Sequence, residues 1–145
     1  MTTYWDVITV NLANQTGFDL NLGKVDPLPH GEYGTWPVAR ITNGQTASPA
    51  FDAHSLNASE VGPGPGQLAY GLPDGTQLNI QWDMIFAVAQ TSYVSAQVAG
   101  VASGSYKVEI TCSQDSWHGQ GKRFNATITM SVDSAGPPSA QCSKS

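Results

Sequence analysis

Leu68 to Trp82 reads LAYGLPDGTQLNIQW, and this stretch decides the fold class. Leu68 and Tyr70 flank Ala69 before the turn, and Leu78, Ile80 and Trp82 alternate with Asn79 and Gln81 after it. Side chains on a strand point to its two faces in turn, so a period of two marks two strands with one apolar face each. Between them, Pro73-Asp74-Gly75 has the chemistry of a tight turn: proline presets φ, and glycine reaches positive φ without a Cβ penalty. The stretch predicts a β-hairpin.

The same pattern recurs on both sides of it. Toward the N-terminus, Ile8, Val10 and Leu12 alternate with Val7, Thr9 and Asn11, and Phe18, Leu20 and Leu22 alternate with Asp19, Asn21 and Gly23. Toward the C-terminus, Tyr106, Val108, Ile110 and Cys112 share one face, as do Phe124, Ala126, Ile128, Met130 and Val132. No long window carries a 3.6-residue apolar stripe, and the helix-tolerant piece Met84 to Gln90 is short. Punctuated by 15 Gly and 9 Pro, the chain reads as all-β. The expected architecture is a β-sandwich of about seven to nine mostly antiparallel strands.

One domain is expected over residues 1–145, with 133–145 a loose tail unless Cys142 is tied down. Two loops stand out. Asp26 to Pro37, DPLPHGEYGTWP, is rich in Pro and Gly yet carries Tyr33 and Trp36; Asn57 to Gly66, NASEVGPGPG, is incompatible with regular structure.

Apolar residues make up 40% of the chain, enough for a core at this length, while charged residues reach only 12%, about half the usual share. The surface is therefore mostly uncharged and polar, which suits carbohydrate, lipid head groups or protein. Net charge is −5, and the only adjacent basic residues are Lys122 and Arg123, so the clustered cations that nucleic acid requires are missing. The opening MTTYWD has no basic start followed by an apolar stretch, and the apolar run Met84 to Ala89 falls far short of the ~20 residues of a spanning helix. The expectation is a protein made soluble, without a signal peptide.

Catalytic chemistry finds no support in the spacing. His30, His54 and His118 lie in separate segments, and no glycine-rich phosphate loop opens a helix. Asp52, His54 and Ser55 contain triad residue types, but neighbours along a chain do not form a triad. No enzyme activity, metal or cofactor is expected. Asn14, Asn57 and Asn125 open glycosylation-type triplets, read as chance matches. Cys112 and Cys142 are too few for a zinc site. Three states stay open for them: free thiols, a bridge within the chain, or bridges between chains that would make a homodimer.

Among the aromatic residues, Trp82 continues the Leu78 and Ile80 face and belongs at least partly to the core. Tyr33 and Trp36 sit in a Pro/Gly loop, and exposed aromatics on loops mark a contact surface.

Several short segments carry a family resemblance. Tyr4-Trp5-Asp6-Val7-Ile8-Thr9-Val10 followed by Asn14-Gln15-Thr16-Gly17 resembles the opening of the aegerolysins, where a Trp precedes an apolar strand and a polar turn. Gly23-Lys24-Val25 resembles the step after their second strand, and Ser59-Glu60-Val61-Gly62 through Gly66-Gln67-Leu68-Ala69-Tyr70 resembles their acidic, glycine-bearing loop. Ile80-Gln81-Trp82-Asp83 is similar to the family's W-D pair, but Met84-Ile85-Phe86 stands where the family has a C-P-W-type segment. The stretch from Gly66 to Phe86 is also similar to the actinoporins of the wider cytolysin/lectin superfamily.

The resemblance implies a β-sandwich that recognises membrane sphingolipids and recruits a larger perforin-like partner, forming a two-component pore-forming toxin that acts outside the cell. Trp5, Tyr33 and Trp36 are the expected lipid contacts, joined by Trp82 and Phe86. A chain at −5 with dispersed cations cannot use attraction to anionic lipid. It would instead recognise a zwitterionic head group by shape, hydrogen bonds and cation–π contact. The first strand pattern begins near Val7, which leaves MTTYWD too short for an inserting amphipathic helix. The expectation is a chain that docks on membranes without perforating them. The alternative is a carbohydrate-binding lectin on the same scaffold.

Overall fold

The computed structural model describes residues 6–56, 62–84, 91–117 and 121–144. Eleven strands run through them: β1 (Val7–Gln15), β2 (Leu20–Val25), β3 (Glu32–Thr35), β4 (Arg40–Ile41), β5 (Thr46–His54), β6 (Gly66–Gly71), β7 (Gln77–Asp83), β8 (Ser92–Ala99), β9 (Tyr106–Trp117), β10 (Gly121–Val132) and β11 (Ser139–Lys144). They form a five-stranded sheet in the order β3-β5-β1-β10-β9 and a six-stranded sheet in the order β11-β8-β7-β6-β2-β4. The architecture is the expected all-β sandwich, with more strands than the seven to nine anticipated. The surplus is short or weakly patterned: β4 has two residues, β3 has four, and β11 lies in the tail.

Pairing is antiparallel throughout except between β1 and β10, which run parallel from Val7↔Arg123 to Gln15↔Ser131. The decisive hairpin forms as its sequence dictates. Leu68 pairs with Ile80, Tyr70 with Leu78 and Gly66 with Trp82. Gly75 sits at φ +87, and the Asp74 side chain accepts from the Thr76 N–H at 2.9 Å. The Tyr106 hydroxyl donates to the other Asp74 oxygen at 2.7 Å, tying this turn to the opposite sheet.

The core lies between the sheets. Ile8, Val10, Leu12, Phe51, Phe124 and Ile128 from one sheet meet Leu68, Tyr70, Leu78, Ile80 and Trp82 from the other, all buried. Alternation supplies this face residue by residue, which is why the strands were readable. Asn14 is buried with them, and its amide donates to the Phe18 and Ile41 carbonyls at 2.7 and 2.8 Å. That side chain clamps the β1–β2 turn and is closed to modification in the folded chain.

Cys112 on β9 and Cys142 on β11 form a disulfide within the chain, with Cα atoms 6.0 Å apart. β9 and β11 are edge strands of opposite sheets, so the bridge staples the sandwich along one open side. The condition set for the tail is thus met. Residues 139–144 are not loose but form β11, paired with β8 from Ser139↔Gln97 to Lys144↔Ser92.

Candidate functional site

Trp36 is 61% exposed although both flanks of its segment are fixed. On one side, the Thr35 N–H and hydroxyl both donate to the Asp52 carboxylate at 2.9 Å. On the other, Pro37 is buried, the Val38 N–H donates to the Ala50 carbonyl at 3.0 Å, and the Tyr70 hydroxyl donates to the Val38 carbonyl at 2.8 Å. A rigid mount that holds a large indole in water is the reverse of what core packing selects.

Tyr33 on β3 links this indole to the interior. Its ring meets Trp36 edge-on at 5.1 Å, Trp82 at 6.2 Å and Phe51 at 6.4 Å, all within the range of favourable aromatic pairs. Its hydroxyl donates to the Asp26 carbonyl at 3.1 Å. Burial first, and the Asp26 charge second, push the phenol up to about 12, so it stays a neutral donor at any physiological pH.

Trp82 requires a correction. It is fully buried, 4.8 Å from Phe51, and cannot be a direct lipid contact. The alternation that places Leu78 and Ile80 inside carries Trp82 with them. Gly66 lies directly against its ring, so closely that a Cβ there would collide with the six-membered ring. The role left to Trp82 is support: it backs Tyr33 and floors a hollow. Its Nε1 has no hydrogen-bond partner.

That hollow, about 300 Å³, is bounded by Asp26, Pro27, Pro65, Gln67, Gln81 and Tyr93, with Gly66 and Trp82 behind. It joins a half-buried aromatic ring, a carboxylate and two amides. Asp26 is 3.4 Å from the Lys24 ammonium, so the rim is close to neutral. Tyr93 and Asp26 escaped the sequence reading. The signal for Tyr93 was present, since Tyr93, Ser95 and Gln97 alternate with the buried Val94, Ala96 and Val98. Trp5 and Phe86 lie outside the described residues. Cys112 and Cys142 do not line the hollow, although Cys142 pairs with Val94, the neighbour of Tyr93. Among the described residues, no group of three His, Cys, Asp or Glu side chains could hold a metal.

No family model and no curated protein matches the chain. Among solved structures, the fold is similar to the crystal structure of the lipid binding protein Nakanori. The TM-score is 0.62 at 17% identity, over 85% of this chain and 70% of that one. At such identity the likeness is one of fold.

Proposed function

We propose that this protein is a membrane-lipid-binding module, not an enzyme. The observation that carries the reading is Trp36, held rigidly in water at the end of an aromatic series rooted in the core. Indoles favour the membrane–water interface, where an apolar body and a polar N–H are both accommodated. The hollow floored by Trp82, whose ring is 6.2 Å from that of Tyr33, offers Tyr93, Asp26 and two amides to a head group. A zwitterionic group suits this set: the cation meets an aromatic ring and a carboxylate, and the amides donate to the phosphate. The fold shared with a lipid binding protein supports the same reading.

The finer proposal is that the lipid is a sphingolipid, whose amide and hydroxyl give hydrogen-bonding groups that a glycerolipid lacks at that depth. On this reading the module acts outside the cell as the docking half of a two-component toxin, and a larger perforin-like protein supplies the pore. The aegerolysin resemblance supports that extension.

The test is cosedimentation with phosphatidylcholine vesicles, with and without sphingomyelin or ceramide phosphoethanolamine. Binding to one of the sphingolipid-containing vesicles, weakened by Trp36→Ala, is the expected result. Indifference to every vesicle would end the lipid reading, and equal binding to all of them would end the sphingolipid one.

A further inference from the structure

The outer face of the six-stranded sheet is paved with amides. Register places Gln67, Gln81, Ser95 and Gln141 in one row across β6, β7, β8 and β11. Ala69, Asn79, Gln97 and Ser139 form the next row on the same strands. Each row crosses three strand spacings, about 14 Å.

The face is not flat. Small residues between the amides leave two hollows that share Asn79 as a wall. One, about 320 Å³, is floored by Gly23, Ala69 and Gly71 and walled by Gln67, Gln77 and Asn79. The other, about 360 Å³, lies between Asn79, Gln81 and Gln97 on one side and Ser139 and Gln141 on the other. The charged side chains lining the pair are Lys24 and Asp26, which neutralise each other at 3.4 Å. Gln81 donates to the Gln67 carbonyl oxygen at 3.2 Å, which fixes those two amides relative to each other.

We infer that this face is a binding site for a neutral oligosaccharide, adjoining the head-group hollow and sharing Asp26, Gln67 and Gln81 with it. A primary amide offers two donors and an acceptor, and a sugar hydroxyl offers one donor and two acceptors, so rows of one pair with rows of the other without burying charge. The strand spacing is close to the length of a pyranose unit, so a row of amides meets successive sugars of a chain lying across the strands. A protein partner fits less well. Interface cores are built from large apolar side chains, and among the described residues the exposed ones, Phe18, Trp36, Leu56, Val101 and Val132, do not line these hollows. An anionic ligand finds no net positive charge. Asn79 and Gln97 line the sugar face but not the head-group hollow, so these two side chains tell the two readings apart.

The experiment is a titration of the isotope-labelled full chain with lactose, cellotetraose, chitotetraose and a mannose tetrasaccharide, read by NMR on the side-chain amides of Asn79, Gln81 and Gln97. At least one sugar is expected to shift those signals saturably, and raising the salt should leave the affinity unchanged. The double variant Asn79→Ala, Gln97→Ala should lose at least about tenfold in affinity with its melting temperature and vesicle binding intact. Silence of the side-chain amides toward all four sugars would overturn the inference. So would binding that the double variant retains, or shifts confined to residues around Trp36.

Discussion

The Tyr33 ring stands edge-on between Trp36, 61% exposed, and Trp82, fully buried, at 5.1 and 6.2 Å. One side chain therefore separates an indole available to a ligand from an indole that builds the core. The two tryptophans should respond oppositely to truncation. Trp36→Ala is expected to weaken vesicle binding by about ten- to a hundredfold, from the apolar area a single indole can bury, and to move the melting temperature by no more than a few degrees. Trp82→Ala should cost about 3–5 kcal/mol of stability. Thermal melts and cosedimentation of both variants check this. A Trp36→Ala variant that unfolds but still binds when folded would reverse the assignment.

The staple between Cys112 and Cys142 closes a loop of 30 residues. Removing it with Cys142→Ser should cost roughly 3 kcal/mol in the chain-entropy model. The loss should concentrate in β11, which has no buried side chain of its own and holds to β8 by backbone pairing. Hydrogen exchange is the measurement: Ser139–Lys144 amides should exchange fast in the variant while those of β1 and β10 stay protected. Protection of β11 equal to that of the parent chain would show that the strand needs no staple.

Asp6 is buried, and burial raises its carboxyl above the ordinary value; the Lys122 backbone N–H, donating to Oδ1 at 2.9 Å, offsets part of that. Oδ2 has no partner. A carboxyl with a raised folded-state pKa binds its proton more tightly folded than unfolded, so its contribution to stability falls as pH rises from the ordinary value to the raised one. The penalty is complete above that window. Asp6→Asn keeps an acceptor for Lys122 and removes the charge. It should melt a few degrees higher than the parent at neutral pH, with the two curves converging as pH falls below about 4. A lower melting temperature for Asp6→Asn at neutral pH would show that the charge is compensated.

Docking and perforation should separate. Among the described residues, no helix is long and apolar enough to cross a membrane. Dye-loaded vesicles that demonstrably bind the protein are expected to keep their dye when it is added alone and to leak only when a pore-forming partner joins it. Efficient release by the purified chain would remove the partner from the proposal.

The hairpin from Leu68 to Trp82 was legible because local chemistry and burial agree there: the turn residues fit the turn, and every second residue is inside. The same parity foretold that Trp82 is core. β11 was not legible, since SAQCSK contains no large apolar residue and owes its place to a neighbour and a disulfide. β3 was hidden for a related reason, because EYGT is short, mostly exposed and contains a glycine. Of the site, Trp36 could be read from its loop, while the hollow could not. Asp26, Pro65 and Tyr93 come together only when β2, β6, β7 and β8 are paired in register. The amide rows were invisible for the same reason: Gln67, Gln81, Ser95 and Gln141 look unrelated until three ladders align them.

The parallel pairing of β1 with β10 sets the order in which the protein can be completed. β1 sits at the centre of its sheet between β5 and β10, yet Val7 waits for Arg123, 116 residues later in the chain. During synthesis the apolar face of the first strand therefore leaves the ribosome long before its central partner exists. Contacts this distant in sequence slow folding and expose unpaired strand edges while the chain is incomplete. Nascent chains halted before residue 121 can pair β1 with β5 but leave its other edge open, and should be handled by chaperones or aggregate until β10 is released to cover that edge.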